Sequence, residues 1–413
     1  MGTIRGALHV LFIAPDTSVY ALRFLHALKR SGARLHGIGH SAYEGLSADL
    51  RACLDGYARA RTILDGADLA RIAGEIAPSG GFARVETIDE PAVVSAAHVR
   101  SVLGLPGTTV ETAILSRDKA AMKERLRARG LPCAASQRVE SEAEAREFAA
   151  RTGFPLVIKP TDGFGTLETF RCASDAELDA ALARLKPAPQ RPAIAEEFIE
   201  GHEGFLDAIV ADGRVVHDFV GHYYPTCLEA LADRAICPKI ACTNRVASEG
   251  YAELRATGQQ VINALGIRDG ATHMEWFFGP KGLKVSEIGA RPAGERIWDM
   301  HAAGNEFDIY GAWAEAVLHG RASGKPSRRF ATGSVQIRPP KDGVFLGHEG
   351  VERVRRELGD ALFEHEVPPP GARTQPLTAG WHVNTWFRLR DEDYDRLHAR
   401  LEFVARTVVP RVR

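Results

Sequence analysis

Residues 272–294 read THMEWFFGPKGLKVSEIGARPAG, and the way this stretch folds back on itself decides the rest. Two apolar segments flank a turn at Gly279-Pro280-Lys281-Gly282, and each carries one carboxylate, Glu275 and Glu287. Alternate residues of a strand share a face, so His273 goes with Glu275, and Glu287 goes with Gly289 and Arg291. A loop from Gly279 to Leu283 sets Glu275 opposite Glu287. A four-residue loop puts the two acids on opposite faces, because one residue of slip inverts every side chain. The expectation is the first register. Two ionised carboxylates so close repel unless something positive lies between them. Magnesium takes one or two carboxylates together with nucleotide phosphates. Solvated acids on an exposed hairpin satisfy the same pattern, so the neighbouring motifs decide.

Lys159 sits inside the apolar run PLVIKP, where a lysine must snorkel to the strand end or meet an anion. The loop after it, Asp162-Gly163-Phe164-Gly165-Thr166, has glycines that let backbone N–H groups approach phosphate, as a plain hairpin turn also would. Lys119 opens a helical pattern running to Arg129, with Ser116 as its expected N-cap; the first turn of a helix is a good place to meet an anion. The segment from Glu196 to Glu203, EEFIEGHE, reads as a strand ending in acids and resuming after glycine.

The rest of the chain supplies a frame for these residues. Its 413 residues allow two or three packed units, and 45% hydrophobic with 25% charged residues is ordinary for a globular protein. The formal net charge of -1 gives no global field for nucleic acid or an anionic membrane. The apolar run Leu8 to Ala14 is too short to span a bilayer and reads as a first strand. The six cysteines form no C-x-x-C pair, which argues against a zinc site or disulfide scaffold and for reduced thiols in a cytoplasm.

A strand, a helix from Val19 to Arg30 and a second strand from Arg34 to Ile38 predict a parallel sheet, without a G-x-G-x-x-G turn. Leu105-Pro106-Gly107 punctuates the chain, and a small α+β unit follows. Helices are predicted over 141–152, 175–185, 248–265 and 305–318. Residues 221–239 read as an irregular, aromatic-rich loop, and the last eighty or so as a smaller α+β piece.

In that order the motifs resemble the ATP-grasp superfamily, in its carboxylate–amine ligase branch. SRDK and VIKP place Lys119 forty residues before Lys159, like the two phosphate-binding lysines of that family, and DGFGT resembles its phosphate-covering loop. HMEW and SEIGARP, with Glu275 and Glu287 twelve positions apart, resemble its metal-binding acids, and Arg291 its acyl-phosphate arginine.

The resemblance implies a mixed α/β and α+β fold: an N-terminal parallel-sheet domain over 1–106, a lid subdomain over 107–195, a central antiparallel subdomain over 196–325 and a C-terminal piece over 326–413. It implies ATP held by Lys119, Lys159, Gly163, Gly165, Thr166 and the segment Glu196, Glu197, Phe198 and Ile199, with adenine at Glu196 and the backbone near Glu197 and Ile199, and the ribose at Glu203. One or two Mg2+ ions, or Mn2+, would bind Glu275 and Glu287. Gly289 stands where the family commonly has Asn, so one metal ligand is missing.

The implied reaction activates a carboxylate as an acyl phosphate and couples it to an amine, releasing ADP and phosphate. Arg291 is the catalytic cation. His273 is a candidate oxyanion donor or a structural histidine, and Glu295 and Arg296 are candidates for substrate recognition. The partners are small-molecule acids and amines, with a homodimer as the default assembly. An acid–thiol ligase or small-molecule kinase, and a nucleotide-binding module without turnover, are the alternatives.

Overall fold

The computed structural model describes residues 8–18, 20–163, 168–376 and 384–413. Val19, Gly165 and Thr166, on which the sequence reading placed a helix start and two phosphate contacts, lie outside them.

The first unit is a parallel sheet of β1 (Leu8–Ile13), β2 (Ala33–Gly39), β3 (Gly56–Arg59) and β4 (Arg84–Glu86), in the order β3-β2-β1-β4. Val10, Leu11, Phe12 and Ile13 are fully buried, as a parallel strand covered on both faces requires. The second unit is a four-stranded sheet of β5 (Ser136–Val139), β6 (Leu156–Pro160), β7 (Phe170–Cys172) and β8 (Ala193–Glu197). Helices Glu142–Thr152 and Asp175–Leu185 pack on it, capped by Ser141 and Ser174.

The scaffold of the molecule is an eight-stranded sheet. Its strands are β9 (His202–Ala211), β10 (Arg214–Tyr224), β11 (Lys239–Cys242), β12 (Gly270–Gly279), β13 (Gly282–Gly289) and β14 (Ala331–Gln336). After β15 (Phe345–Glu349) come β16 (Leu362–Glu366) and β17 (Trp386–Asp391), in the order β13-β12-β9-β10-β11-β14-β17-β16. β15 pairs with β18 (Val409–Val412) in a separate ribbon. The expected C-terminal piece therefore lends three strands to the central sheet, because β14 pairs with β11.

Period-two alternation gives this sheet two faces. Leu206, Ala208, Met274, Trp276, Val285 and Ile288 join the core under helix Ala252–Leu265. Phe205, Ile209, Phe219 and Ala271 face the other way, against helices Ile297–Asn305 and Ile309–His319. The sequence reading had no helix at 297–305, where only the Gly294-Glu295-Arg296 break precedes the apolar run. The stretch read as an irregular loop at 221–239 carries the short helix Cys227–Ala232, closed by a capping box between Thr226 and Glu229.

The decisive hairpin pairs Glu275 with Glu287 and His273 with Gly289. It reaches that pairing by a different route from the expected loop. Gly279 pairs with Gly282 across a two-residue turn, and a bulge at Ser286 absorbs the odd residue. Without the bulge, Ser286 would face Glu275 and Glu287 would turn into the core beside Met274.

Candidate active site in the cleft

One face of the central sheet opens into a cleft of about 1470 Å3, lined by all three units. Thr17, Asp89 and Glu90 come from the parallel-sheet unit, and Lys159, Phe198 and Ile199 from the small sheet and the hinge after it. Glu203, His273, Glu275, Glu287 and Arg291 come from the central sheet and the loop after it. Phe277, His273 and Glu275 register with Glu203, Asp207 and Phe205 on the neighbouring strand, so Glu203, Asp207, His273 and Glu275 share this face.

The cations converge on the opposed acids. The helix Lys119–Ala128 is capped by Asp118, whose carboxylate accepts from the Ala120 and Ala121 N–H groups. Ser116, the expected cap, instead donates to the Thr112 carbonyl at the end of the preceding helix. Lys119 Nζ lies 3.1 Å from Glu287 Oε2 and donates to the Gly163 carbonyl, which brings Gly163 to the site. Burial opposes ionisation of Glu287, but Lys119 and Lys159 hold its carboxyl down to about 2. Burial likewise opposes charge on Lys159, yet Glu196, Glu287 and Glu275 raise it above the ordinary lysine value.

Glu196, expected near adenine, is a buried acid that lines the cleft. Its carboxylate lies between Lys123, at 2.7 Å, and Lys159, at 3.3 Å, and these lysines keep it ionised despite burial. Lys123 is 1% exposed and was missed by the sequence reading. Its position one turn after Lys119, on the same helix face, is the signal that marks it. Glu197 is also engaged, accepting from the Ala135 N–H at 2.9 Å and pairing with Lys281 at 2.5 Å, which ties the hairpin turn to the hinge. Phe198 lies under the Arg171 guanidinium, and Ile199 is buried.

Glu203 is buried and accepts from the Cys227 N–H at 2.5 Å. Burial and the nearby Glu275 charge push its carboxyl up to about 8. The first residue of the short helix Cys227–Ala232 thus presents its N–H to this strand acid. His273 is held by Asp207, Nδ1 to Oδ1 at 2.6 Å, while the other oxygen of Asp207 accepts from His301 at 2.7 Å. Burial lowers the basicity of His273, but Asp207 outweighs it and lifts the ring to about 9. The imidazolium points its Nε2 toward Glu275 Oε1, 3.6 Å away. Asp207 and His301 carry no motif that the sequence could reveal.

Arg291 pairs with Glu90, which also accepts from Arg117 at 2.7 Å. Burial disfavours the Glu90 charge, and the two guanidiniums hold its carboxyl below the usual range. Arg117 in turn donates to the Asp162 carbonyl at 2.8 Å, so one acid of the first unit anchors Arg291 and the loop after Lys159. Glu295 and Arg296 both adopt left-handed backbone, φ 51° and 54°. Arg296 is committed to Asp299 at 2.6 Å and Glu364 at 3.0 Å, and Glu295 accepts from Gln336 at 3.4 Å.

A family profile for the ATP-grasp domain matches residues 152–299, the span from the small sheet through Arg291. The chain is 29% identical to an L-arginine-specific L-amino acid ligase from Bacillus subtilis over 233 residues, 55% of each chain. It is 23% identical to the carbamoyl phosphate synthase large chain of Thermus thermophilus over 307 residues, 71% of this chain but 30% of that one. The chain thus spans about half or less of the length of these two relatives. The crystal structure of an L-amino acid ligase from Bacillus licheniformis superposes with a TM-score of 0.78 at 17% identity, covering 98% of this chain and 99% of that one. N5-carboxyaminoimidazole ribonucleotide synthetase from Thermotoga maritima gives 0.70 at 14% identity, covering 98% and 100%. Residues 152–299, which hold Lys159, Glu196, Glu275, Glu287 and Arg291, thus match the ATP-grasp domain, and the chain shares the fold of the ligase and synthetase structures on which it superposes.

Proposed function

We propose that the chain uses ATP to activate a carboxylate as an acyl phosphate and joins it to an amine, releasing ADP and phosphate. The observation that carries this reading is the convergence of Lys119 and Lys159 on Glu287, directly opposite Glu275, with Arg291 on the same side of the cleft. Phosphoryl transfer needs positioned positive charge more than covalent help, and this arrangement supplies it. Lys119 and Lys159 would leave Glu287 and Glu196 for phosphate oxygens. Arg291, steadied by Glu90, would hold the acyl phosphate and then the oxyanion formed when the amine attacks.

The donor set fits a hard divalent cation. Glu275 and Glu287 are opposed oxygen ligands, and the charge of Glu275 helps hold Glu203 protonated, a repulsion that a cation would relieve. Among the described residues no cluster of three His, Cys, Asp or Glu forms there, so phosphate oxygens and water would complete the shell. Magnesium bound there supplies charge neutralisation for the β- and γ-phosphates. His273 would then serve by holding Glu275 in place from its Asp207 anchor.

In this reading residues 1–106 contribute a substrate wall, 107–195 the lid, and 196–325 the metal-binding floor, which 326–413 extends. The test is ADP release against a panel of acids and amines. Phosphate release that requires both an acid and an amine supports the ligase. ADP formation with a stable phosphorylated product, or ATP binding without turnover for any pair, contradicts it.

A further inference from the structure

The end of the cleft at the opposite edge of the central sheet from Glu287 has a wall of its own. Three adjacent strands set two rows of side chains across it. Ser334, Arg388 and Glu364 register in one row, and Gln336, Trp386 and Glu366 in the next. Ser334, Gln336, Trp386, Arg388 and Glu366 line the cleft, and Glu295 joins them from the loop after Arg291.

The positive charge on this wall is already used. Arg388 pairs with Glu364 at 2.6 Å, donates to the Glu295 carbonyl at 2.9 Å and stacks on the Trp386 ring at 4.3 Å. Arg296 takes the other oxygen of Glu364 and one oxygen of Asp299. Two guanidiniums are thus matched by the carboxylates of Glu364 and Asp299, and among the described residues of this wall only one buried N–H of theirs, Arg388 Nε, lacks a hydrogen-bond partner.

The acceptors are not used up. Gln336 is 5% exposed; its Nε2 donates to Glu295, and its Oε1 has no hydrogen-bond partner among the described residues. Glu366 accepts from the Trp386 indole N–H at 3.1 Å and has no basic partner among the described residues. A buried amide oxygen without a donor costs free energy that a ligand N–H can recover. A carboxylate beside an indole suits a cation with several N–H groups.

Resting on the ligase reading above, we propose that this wall is a specificity subsite for a substrate amino acid with a cationic side chain, an ammonium or guanidinium seated against Gln336 and Glu366. The two arginines serve as fixed struts that orient Glu295 and Trp386, and a substrate with an acidic side chain is repelled by Glu366.

The experiment compares arginine with citrulline, its uncharged near-isostere, and with glutamate. ADP and phosphate release are followed by the full chain with ATP, Mg2+ and an amine panel, and products are read by mass spectrometry. Charge-assisted hydrogen bonds of this kind are expected to favour arginine by roughly ten- to hundredfold in kcat/KM. In Glu366→Gln, whose side chain is on the exposed cleft rim, that ratio is expected to fall toward one. Equal or better turnover of citrulline or glutamate by the unaltered protein overturns the subsite while leaving the ligase reading intact. If no acid yields ADP, the ligase reading fails. Calorimetric titration of arginine against citrulline then decides the subsite separately: preferential arginine binding lost in Glu366→Gln supports it, and equal binding overturns it.

Discussion

At the scale of single residues, Glu287 links the charges of the site. It faces Glu275, receives Lys119 and feels Lys159, so Glu287→Gln removes the negative charge that both lysines share. The expected outcome is a loss of roughly a hundred- to thousandfold in turnover in a coupled ADP assay, the scale for removing one transition-state electrostatic contact. Lys159→Ala leaves Glu196 with Lys123 alone and should weaken ATP binding by about 2 kcal/mol, measured by calorimetry. Glu203 gives a pH signature. Its carboxyl is raised from an ordinary 4.5 to about 8, so the folded state holds a proton that the unfolded chain has released. That contribution is complete below about 4.5 and is lost as pH rises to about 8. In the nucleotide-free protein, Glu203→Gln should flatten the decline of denaturation midpoint across that window; an unchanged slope would show that Glu203 titrates normally.

At the scale of elements, the helix Lys119–Ala128 and the hairpin at 270–289 show how far the sequence could be read. The helix was legible because its breakers and charged face are local, whereas Lys123, one turn after Lys119, escaped that reading. The identity of the cap was not legible: Ser116 and Asp118 both suit an N-cap, and the preceding helix through Leu115 takes Ser116 for itself. Asp118→Ala should cost about 1 kcal/mol of stability and also weaken nucleotide affinity by loosening Lys119 and Lys123, whereas Asp118→Asn keeps the cap. The opposed acids were legible from alternation, but the Ser286 bulge was not, since a bulge leaves no mark in an alternating pattern until its partner strand is known. The ladder from Asp207 to His273 and His301 was hidden for the same reason. Its members are far apart in sequence and meet only through the register of β9 with β12 and the helix packed on them.

At the scale of the whole molecule, the first unit packs on the central one through a shared apolar core, with Phe24 against Trp298 and Trp313, and charged ties join the units at the cleft. Glu90 of the first unit carries both Arg291 and Arg117, and Arg117 reaches the loop after Lys159. Glu90→Ala leaves two partly buried guanidiniums without their carboxylate, at a cost of about 3 kcal/mol in denaturant unfolding and a loss of turnover, because Arg291 is no longer aimed. No helix among the described residues is long and apolar enough to cross a membrane. In the proposed function Glu275 and Glu287 would hold a divalent ion beside the phosphates of a nucleotide. The most direct test of that reading is anomalous diffraction from crystals grown with ADP and Mn2+. A manganese peak coordinated by both carboxylates and by ADP phosphate oxygens is the predicted result, and ordered ADP in the cleft with no metal peak between the two carboxylates would contradict it.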